Sequence, residues 1–233
     1  SDLADRALGH VAGDDFGDSV AIDGATVVVG APCLCLATYI NLHCGSSHVD
    51  VFRTTDDGAT YDEVATLTPD DGTTHDEFGH SVAIDGDTIV VGARCDGIVG
   101  VITTATCYSG SGAAYVFWTS DGGATYDQVA KLTASDGASY DHFGSSMAIA
   151  GGTVIVGAPN YWSGGSGSVY VFRTFDGGAT YAQVAKLTAS DAAGGDGFGK
   201  SVAIDGNTIV VGAYGAGTGG AVYLFRTTDG GAT

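Results

Sequence analysis

Apolar and β-branched residues occur in short runs, and one arrangement of these runs appears four times along the chain. The clearest copy reads FGKSVAIDGNTIVVGA and extends from Phe198 to Ala213, and the other copies begin at Phe16, Phe78 and Phe143. Each copy holds two apolar runs joined by a tight turn at Asp-Gly or Ala-Gly. Two such runs around an Asp-Gly turn are typical of a β-hairpin. The pattern therefore predicts four hairpins.

Each repeat extends beyond its hairpin and predicts four strands, which we call A, B, C and D in chain order. In the second repeat, strand A is Ser81–Ile84 and strand B is Thr88–Ala93. Strand D is Tyr126–Leu132, whose alternating pattern indicates one face in water. Strands B and C are almost continuously apolar, as expected for strands covered on both faces. The predicted C strands are Val49–Phe52, Ala114–Phe117, Val169–Phe172 and Val222–Phe225.

The spacing of the repeats indicates the fold class. Successive Phe-Gly pairs are separated by 62, 65 and 55 residues. A period of this size, filled with short strands, indicates the blades of a β-propeller. We therefore predict one all-β domain over residues 1–233 with four-stranded antiparallel blades. The blades are predicted at 16–68, 78–133, 143–188, and 198–233 together with 1–11.

Two arrangements of the chain ends remain open from the sequence. In the first, Leu3–Val11 supplies the outer strand of the last blade and closes a four-bladed ring. In the second, the chain is part of a larger propeller.

A second turn recurs between strands C and D, with the pattern Thr-x-Asp-x-Gly followed by Ala-Thr. A short carboxylate in such a turn accepts bonds from backbone N–H groups, and glycine supplies positive φ. The turn resembles the Asp box of sialidase-like propellers, with Tyr in place of the usual Trp or Phe. Its aspartates are Asp56, Asp121, Asp176 and Asp229.

The FG and VGAP elements resemble the FG-GAP repeats of integrin α-subunit propellers. The fullest match joins Phe143-Gly144 to Gly157-Ala158-Pro159. The resemblance implies a β-propeller that mediates extracellular adhesion or ligand binding. The calcium loop that integrin blades carry between strands A and B is reduced here to two residues, as at Asp85-Gly86. Two residues cannot surround a cation that needs six to eight oxygens, so we predict no metal site there and no calcium requirement for folding.

Composition and charge narrow the classes of partner. Glycine accounts for 39 of 233 residues, which disfavours a helical protein. The formal net charge is −19, and such a surface repels nucleic-acid phosphates and anionic membranes. No apolar run is long enough for a membrane-spanning helix. We predict no nucleic-acid partner, no membrane insertion and no cofactor.

All five cysteines lie in two predicted loop insertions, which indicates an oxidising, extracellular compartment. We predict a Cys95–Cys107 disulfide and a second disulfide that joins Cys44 to Cys33 or Cys35. A metal site built from these thiols with His43 and His48 is the alternative, although the spacing fits no common zinc pattern.

The loops that differ in length between repeats share one face of the predicted propeller. The B–C loops hold about 16, 19, 9 and 7 residues in chain order, whereas the A–B and C–D turns on the other face are short. Variable loops on a rigid scaffold are where binding sites usually lie. The exposed aromatic candidates on this loop face are Tyr161, Trp162 and Tyr214.

The connectors from strand D to the next strand A carry aspartates at two recurring positions. Two interpretations remain open: the carboxylates form a ring that binds cations weakly, or each caps backbone N–H groups of its own connector. The aspartates are Asp71, Asp136 and Asp191 at the first position and Asp76, Asp141 and Asp196 at the second.

These features favour a secreted or cell-surface module for adhesion, protein recognition or assembly into a larger structure. The alternative is a lectin with sugar sites on the loop face. No nucleophile–base pair and no paired carboxylates stand outside the repeat pattern, so we predict no enzymatic activity. The predicted partner is a protein or a glycan at the loop face.

Overall fold

The computed structural model describes residues 14–33, 47–73, 75–97, 110–160 and 163–227, and these residues form fifteen β-strands in four sheets. Blade 1 contains β1 (Ser19–Asp23), β2 (Thr26–Ala31), β3 (His48–Arg53) and β4 (Asp62–Leu67). Blade 2 contains β5 (Phe78–Asp85), β6 (Thr88–Ala93), β7 (Ala113–Trp118) and β8 (Asp127–Leu132). Blade 3 contains β9 (Ser146–Ala150), β10 (Thr153–Ala158), β11 (Ser168–Arg173) and β12 (Ala182–Leu187). Blade 4 contains β13 (Phe198–Asp205), β14 (Thr208–Ala213) and β15 (Ala221–Arg226).

Every sheet is an antiparallel meander in chain order, which confirms the all-β propeller fold predicted from the repeats. The A–B hairpins close through two residues, as in blade 2, where Asp85 pairs with Thr88. In blade 2, strand A begins at Phe78, three residues before the predicted start, because a register irregularity between Phe78 and Ser81 lets the strand continue. Within the described ranges there is no helix long and apolar enough to cross a membrane.

The described part of blade 4 has three strands, whereas blades 1 to 3 have four. The predicted closing strand Leu3–Val11 and the fourth turn aspartate, Asp229, lie outside the described residues. The A strands pack in the order β1, β5, β9 and β13, and among the described strands no comparable packing joins blade 4 to blade 1. The strands that the structure describes therefore form an open arc of blades.

Aromatic residues fill each junction between neighbouring blades. The phenylalanine of the repeated Phe-Gly pair is fully buried at Phe78, Phe143 and Phe198. Each of these rings contacts two aromatic rings of strand C in its own blade; for Phe78 these are Tyr115 and Phe117, at centroid distances of 5.5 and 6.0 Å. Each junction thus has one apolar cluster. It joins the face of one blade that is turned towards the next blade, here called the front face, to the facing side of that next blade, here called the rear face.

Glycine occurs in the repeated motif because the blades approach closely at that point. A Cβ atom at Gly92 would lie 2.1 Å from the carbonyl oxygen of Gly144 in the next blade. The same carbonyl accepts a 2.7 Å hydrogen bond from the Ser81 hydroxyl. Equivalent serine–glycine bonds join the other junctions, from Ser19 to Gly79 and from Ser146 to Gly199. The motif residues are therefore contacts between blades as well as parts of a hairpin.

The turns opposite the loop face are held by carboxylates. Asp176 accepts hydrogen bonds from the Thr180 N–H group and from the hydroxyls of Thr174 and Thr180. These bonds lower the pKa of Asp176 to about 2, because they stabilise the ionised form. In the A–B turns, the Asp85 carboxylate accepts a 2.7 Å bond from the Gly151 N–H group of the next blade. This face is therefore a set of short, internally bonded turns.

Candidate functional site: the loop face

The loop face is built by the B–C loops together with the connectors that lead into the next blade. Backbone hydrogen bonds join each connector to the B–C loop of the blade that follows it. The Cys95 N–H group donates to the Asp76 carbonyl at 3.1 Å, and the Gly215 N–H group donates to the Asp196 carbonyl at 2.9 Å. Between blades, the Phe143 N–H group donates to the Ser111 carbonyl at 2.9 Å. Loops of different length thus rest on one repeated backbone frame.

The aspartates at the second connector position, Asp76, Asp141 and Asp196, cap backbone N–H groups of their own connectors. Asp76 accepts bonds from the N–H group and hydroxyl of Thr73, at 2.6 and 2.7 Å. Asp196 accepts a 2.7 Å bond from the Ala193 N–H group. Asp141 caps Ala138 in the same way and also accepts a bond from the Asn160 amide. These carboxylates fix the shape of the connector.

The aspartates at the first connector position, Asp71, Asp136 and Asp191, accept hydrogen bonds from the following blade instead. Asp71 accepts a 2.9 Å bond from the Tyr115 hydroxyl and a 2.7 Å bond from the Lys131 ammonium group. Lys131 also donates to Asp96 at 2.8 Å. The ammonium group of Lys131 is the main cause of the lowered pKa of Asp71. Each such cluster links a connector to strands C and D of the following blade.

The same arrangement recurs at the next blade and is present in part at the last one. Asp136 accepts bonds from the Tyr170 hydroxyl at 2.9 Å and from the Lys186 ammonium group at 2.6 Å. Asp191 accepts a 2.7 Å bond from the Tyr223 hydroxyl, and no described lysine contacts it. The sequence interpretation of a local cap therefore omitted the main partners of Asp71, Asp136 and Asp191.

The connector carboxylates do not gather into a metal-binding group. Among the described residues there is no cluster of three or more His, Cys, Asp or Glu side chains that could hold an ion. Weak cation binding at Asp71, Asp76, Asp136, Asp141, Asp191 and Asp196 stays a prediction, and a cation there would compete with the hydrogen bonds given above.

A cluster of ionisable side chains lies at the inner edge of the loop face, between blades 1 and 2. Arg94 forms an ion pair with Glu77, and burial raises the pKa of the Glu77 carboxyl. His80 lies 3.4 Å from Asp18, measured between Nδ1 and Oδ2. Burial lowers the pKa of His80 to about 3, so that its imidazole is neutral at pH 7. Sequence reasoning did not identify this group, because its members are dispersed in the chain.

Of the aromatic candidates, Tyr214 lies within the described residues, and it is 63% exposed. A Cβ atom at Gly197 would lie 2.5 Å from the Tyr214 ring, so glycine gives this ring its place on the surface. A shallow cavity of about 370 Å³ lies beside Tyr214 and is also lined by Lys200. Tyr161 and Trp162 lie outside the described residues.

Two of the five cysteines lie within the described residues. Cys95 is fully buried and is disulfide-bonded. Its predicted partner Cys107 lies outside the described residues, so the pairing stays a prediction. Cys33 is buried at the base of the first B–C loop, where the Ser47 hydroxyl donates to the Pro32 carbonyl. Cys35 and Cys44 also lie outside the described residues.

The sequence contains a pattern that could have indicated the tyrosine–lysine–aspartate clusters. Tyr115, Tyr170 and Tyr223 occupy one position of strand C, and Lys131 and Lys186 occupy one position of strand D. Polar residues at fixed positions of otherwise apolar strands suggest a shared partner. The sequence alone did not show that this partner is the preceding connector.

Comparisons with known proteins identify the repeats. The FG-GAP repeat family matches residues 7–35, 61–117, 126–172 and 181–225. No curated protein sequence matches the chain. Among solved structures, the crystal structure of Saccharomyces cerevisiae Sqt1 is similar, with 13% identity and a TM-score of 0.48. That similarity covers 89% of this chain and 48% of Sqt1, so the chain spans about half the length of that protein. Because the family matches cover more than half of the residues and fall on all four blades, the chain belongs to the FG-GAP repeat family.

Proposed function

We propose that the chain is an extracellular recognition module that binds a protein partner through its loop face. The FG-GAP repeats and the propeller fold indicate a protein-interaction module. The observation that carries the proposal is the contrast between the two faces of the arc. The turn face repeats the same short bonded turns, whereas the B–C loops differ in length on a common frame.

The physical reason is that the scaffold fixes positions while the loops supply the contacts with a partner. Bonded connectors and buried junctions hold the described ends of the loops in place before a partner binds. The net charge of −19 favours a partner with a basic surface, which would be attracted over a distance and more weakly at high salt. The disulfide at Cys95 supports an oxidising, extracellular location.

The proposal assigns the chain no enzymatic activity. The ionisable side chains that meet on the described loop face, such as Glu77 with Arg94 and Asp71 with Lys131, are engaged with one another. Such pairs hold the scaffold and leave no activated nucleophile among them.

A lectin is the second candidate, and the exposed Tyr214 beside its shallow cavity is the observation that favours it. An exposed aromatic ring can stack on the apolar face of a sugar. Replacing Tyr214 by alanine would abolish glycan binding if this candidate is correct.

The experiment uses arrays of immobilised extracellular proteins and of glycans, probed with the intact chain. In the test variant, the B–C loop of blade 2 (residues 94–112) is replaced by the shorter loop of blade 4 (residues 214–220). The control exchanges the turn at residues 119–125 on the opposite face for its equivalent at 174–180, which amounts to the single substitution Ser120→Phe.

We expect protein binding that the loop exchange reduces and the turn exchange leaves unchanged. Glycan binding without protein binding would favour the lectin. Equal loss in the two variants would contradict a binding site on the loop face.

A further inference from the structure

Tyr140 lies in the connector that leads from blade 2 into blade 3, and its backbone is left-handed, with a φ of 75°. A bulky residue rarely adopts this conformation, because its Cβ atom crowds the neighbouring carbonyl oxygen. The side chain keeps 38% of its surface exposed. Tyr140 therefore carries a conformational cost that burial offsets only in part.

Blade 4 shows that the scaffold does not need a tyrosine at this position. The equivalent residue is Gly195, which also stands three residues before a Phe-Gly pair. Gly195 has a φ of 87°, and its N–H group donates to the Gly165 carbonyl at 2.9 Å. The Tyr140 N–H group donates to the equivalent Gly110 carbonyl at 3.1 Å. The same backbone is thus built with glycine, which adopts this conformation without strain.

The side-chain position at this point of the connector is open. A Cβ atom added at Gly195 would have no neighbouring atom within 4 Å. Within the described ranges, no aromatic or cationic side chain stacks on the ring of Tyr140. By contrast, the ring of Tyr170 in strand C of blade 3 is buried, and the Lys186 ammonium group lies over it. The Tyr140 ring is therefore available to another molecule.

Tyr140 stands beside the longest of the B–C loops. Gly110, whose carbonyl accepts the Tyr140 N–H group, belongs to the end of the blade 2 loop, residues 94–112. A partner that contacts this loop therefore also meets the tyrosine ring. The hydrogen bond fixes the backbone of the tyrosine before binding, which limits the freedom that the ring loses in a complex.

The polar side chains next to the ring are already engaged. Asp141 accepts hydrogen bonds from the Ala138 N–H group and from the Asn160 amide. The side-chain oxygen of Asn160 accepts one from the Gly165 N–H group. A sugar site needs polar groups that are free to orient the ligand. An aromatic ring among engaged neighbours suits the apolar contact of a protein interface instead, where tyrosine is a frequent source of affinity.

We propose that Tyr140 is an aromatic anchor of the loop face, which packs into a pocket on the surface of a protein partner. The inference rests on the proposed function and names a residue of the same face that carries affinity. The ring supplies a large contact area with two side-chain torsions to fix, and its left-handed backbone is the structural cost of holding it there.

The test compares the intact chain with variants that remove the ring. Tyr140→Gly copies the residue of blade 4, and Tyr140→Asn removes the ring but keeps a side chain that tolerates a left-handed backbone. Tyr140→Phe keeps the ring and removes the hydroxyl. Phe175→Ser is the matched control, because Phe175 is 74% exposed on the turn face and blade 2 has Ser120 at that position.

The probes are the immobilised extracellular proteins whose binding is reduced by the exchange of the blade 2 loop. We expect Tyr140→Gly and Tyr140→Asn to raise Kd about tenfold or more, as measured by surface plasmon resonance. Tyr140→Phe and Phe175→Ser should leave Kd within about threefold of the parent value, because the ring on the loop face is intact. In urea unfolding, the midpoint of Tyr140→Gly should equal or exceed that of the parent chain, since glycine removes the strain.

The outcomes separate the anchor from the proposed function. Binding that the loop exchange reduces but both ring-removing variants leave unchanged would overturn the anchor and leave the proposed function in place. A lower urea midpoint for both variants would also overturn it, because the ring would then hold the connector. If the parent chain binds no protein on the array, both proposals fail. Glycan binding that Tyr140→Asn abolishes would make a sugar the occupant and overturn the protein contact.

Discussion

Blades 2 and 4 have almost the same sequence in their first two strands but different surroundings. The two motifs, FGHSVAIDGDTIVVGA and FGKSVAIDGNTIVVGA, differ at two positions. In blade 2, Val116 of strand C is fully buried against blade 3. In blade 4, the equivalent Leu224 is 72% exposed. The strand forms in both cases, so strand formation depends on local pattern and burial depends on the neighbouring sheet.

The comparison separates the contacts within a blade from the contacts between neighbouring blades. The register of the A–B hairpin is the same in both blades. The front face of blade 2 is covered by the next blade, whereas the front face of blade 4 exposes Val222 and Leu224. Mutations at equivalent positions should therefore differ in their effects, and urea unfolding followed by circular dichroism measures the differences.

The largest difference is expected for an aspartate introduced on the front face. Val116→Asp should lower the free energy of unfolding by about 4 kcal/mol or more, because the carboxylate would be buried without a partner. Leu224→Asp, the matched control, should change it by less than about 0.5 kcal/mol, because the side chain remains in water. A large loss in Leu224→Asp would mean that the front face of blade 4 is covered in solution.

The next difference concerns the buried phenylalanines. Phe78→Ala should cost about 3–5 kcal/mol, because it leaves a cavity between Tyr115 and Phe117, which are themselves buried. Phe198→Ala should cost less, because its neighbours Tyr223 and Phe225 are half-buried and can move into the space. Equal losses in urea unfolding would show that blade 4 is packed as rigidly as blade 2.

A smaller difference is expected at the glycine of strand B. Gly92→Ala should cost about 2–3 kcal/mol, because its Cβ atom would lie 2.1 Å from the Gly144 carbonyl oxygen and force two blades apart. At Gly212 the added Cβ atom would meet only the Ser201 hydroxyl, at 2.4 Å, and that side chain can rotate away. Gly212→Ala should therefore unfold within about 1 kcal/mol of the parent chain. The prediction fails if the two alanine variants unfold at the same urea concentration.

The smallest difference concerns the aspartate clusters and depends on pH. The Lys131 ammonium group holds the pKa of Asp71 below its ordinary value. The folded state therefore gains stability from this carboxylate above its unfolded pKa and loses it as the pH falls through the folded pKa. Asp71→Asn should cost about 0.2–1 kcal/mol at pH 7, because the pair is partly exposed.

The parent chain and Asp71→Asn should converge as the pH falls through the folded-state pKa of Asp71, because the aspartate becomes protonated. Asp191→Asn, whose described partner is the Tyr223 hydroxyl, should cost less at pH 7. A cost of Asp71→Asn that is constant from pH 7 to pH 2 would argue against the ion pair.

Much of the fold could be predicted because its signals are local. The hairpin at Asp85 and Thr88 follows from a two-residue turn between apolar runs, and strand B of blade 2 was predicted at its observed limits, Thr88–Ala93. The start of strand A was predicted too late, because the irregularity at Gly79 and His80 does not look like a strand in sequence.

Little of the candidate site could be predicted, because its partners are distant in sequence. Tyr115 lies 44 residues after Asp71, and Lys131 lies 60 residues after it. Each residue on its own has the ordinary appearance of a surface tyrosine, lysine or aspartate. Only the packing of a connector against the next blade brings the three side chains together.

The sequence by itself determined the four repeats, the order of strands within them and the short turns of one face, because hairpins and turns depend on neighbours along the chain. The tertiary structure decided which faces are buried and which acidic side chains have partners. These properties depend on the neighbouring blade: in the nearly identical motifs, Val90 of blade 2 is fully buried, whereas the equivalent Val210 of blade 4 is only half-buried.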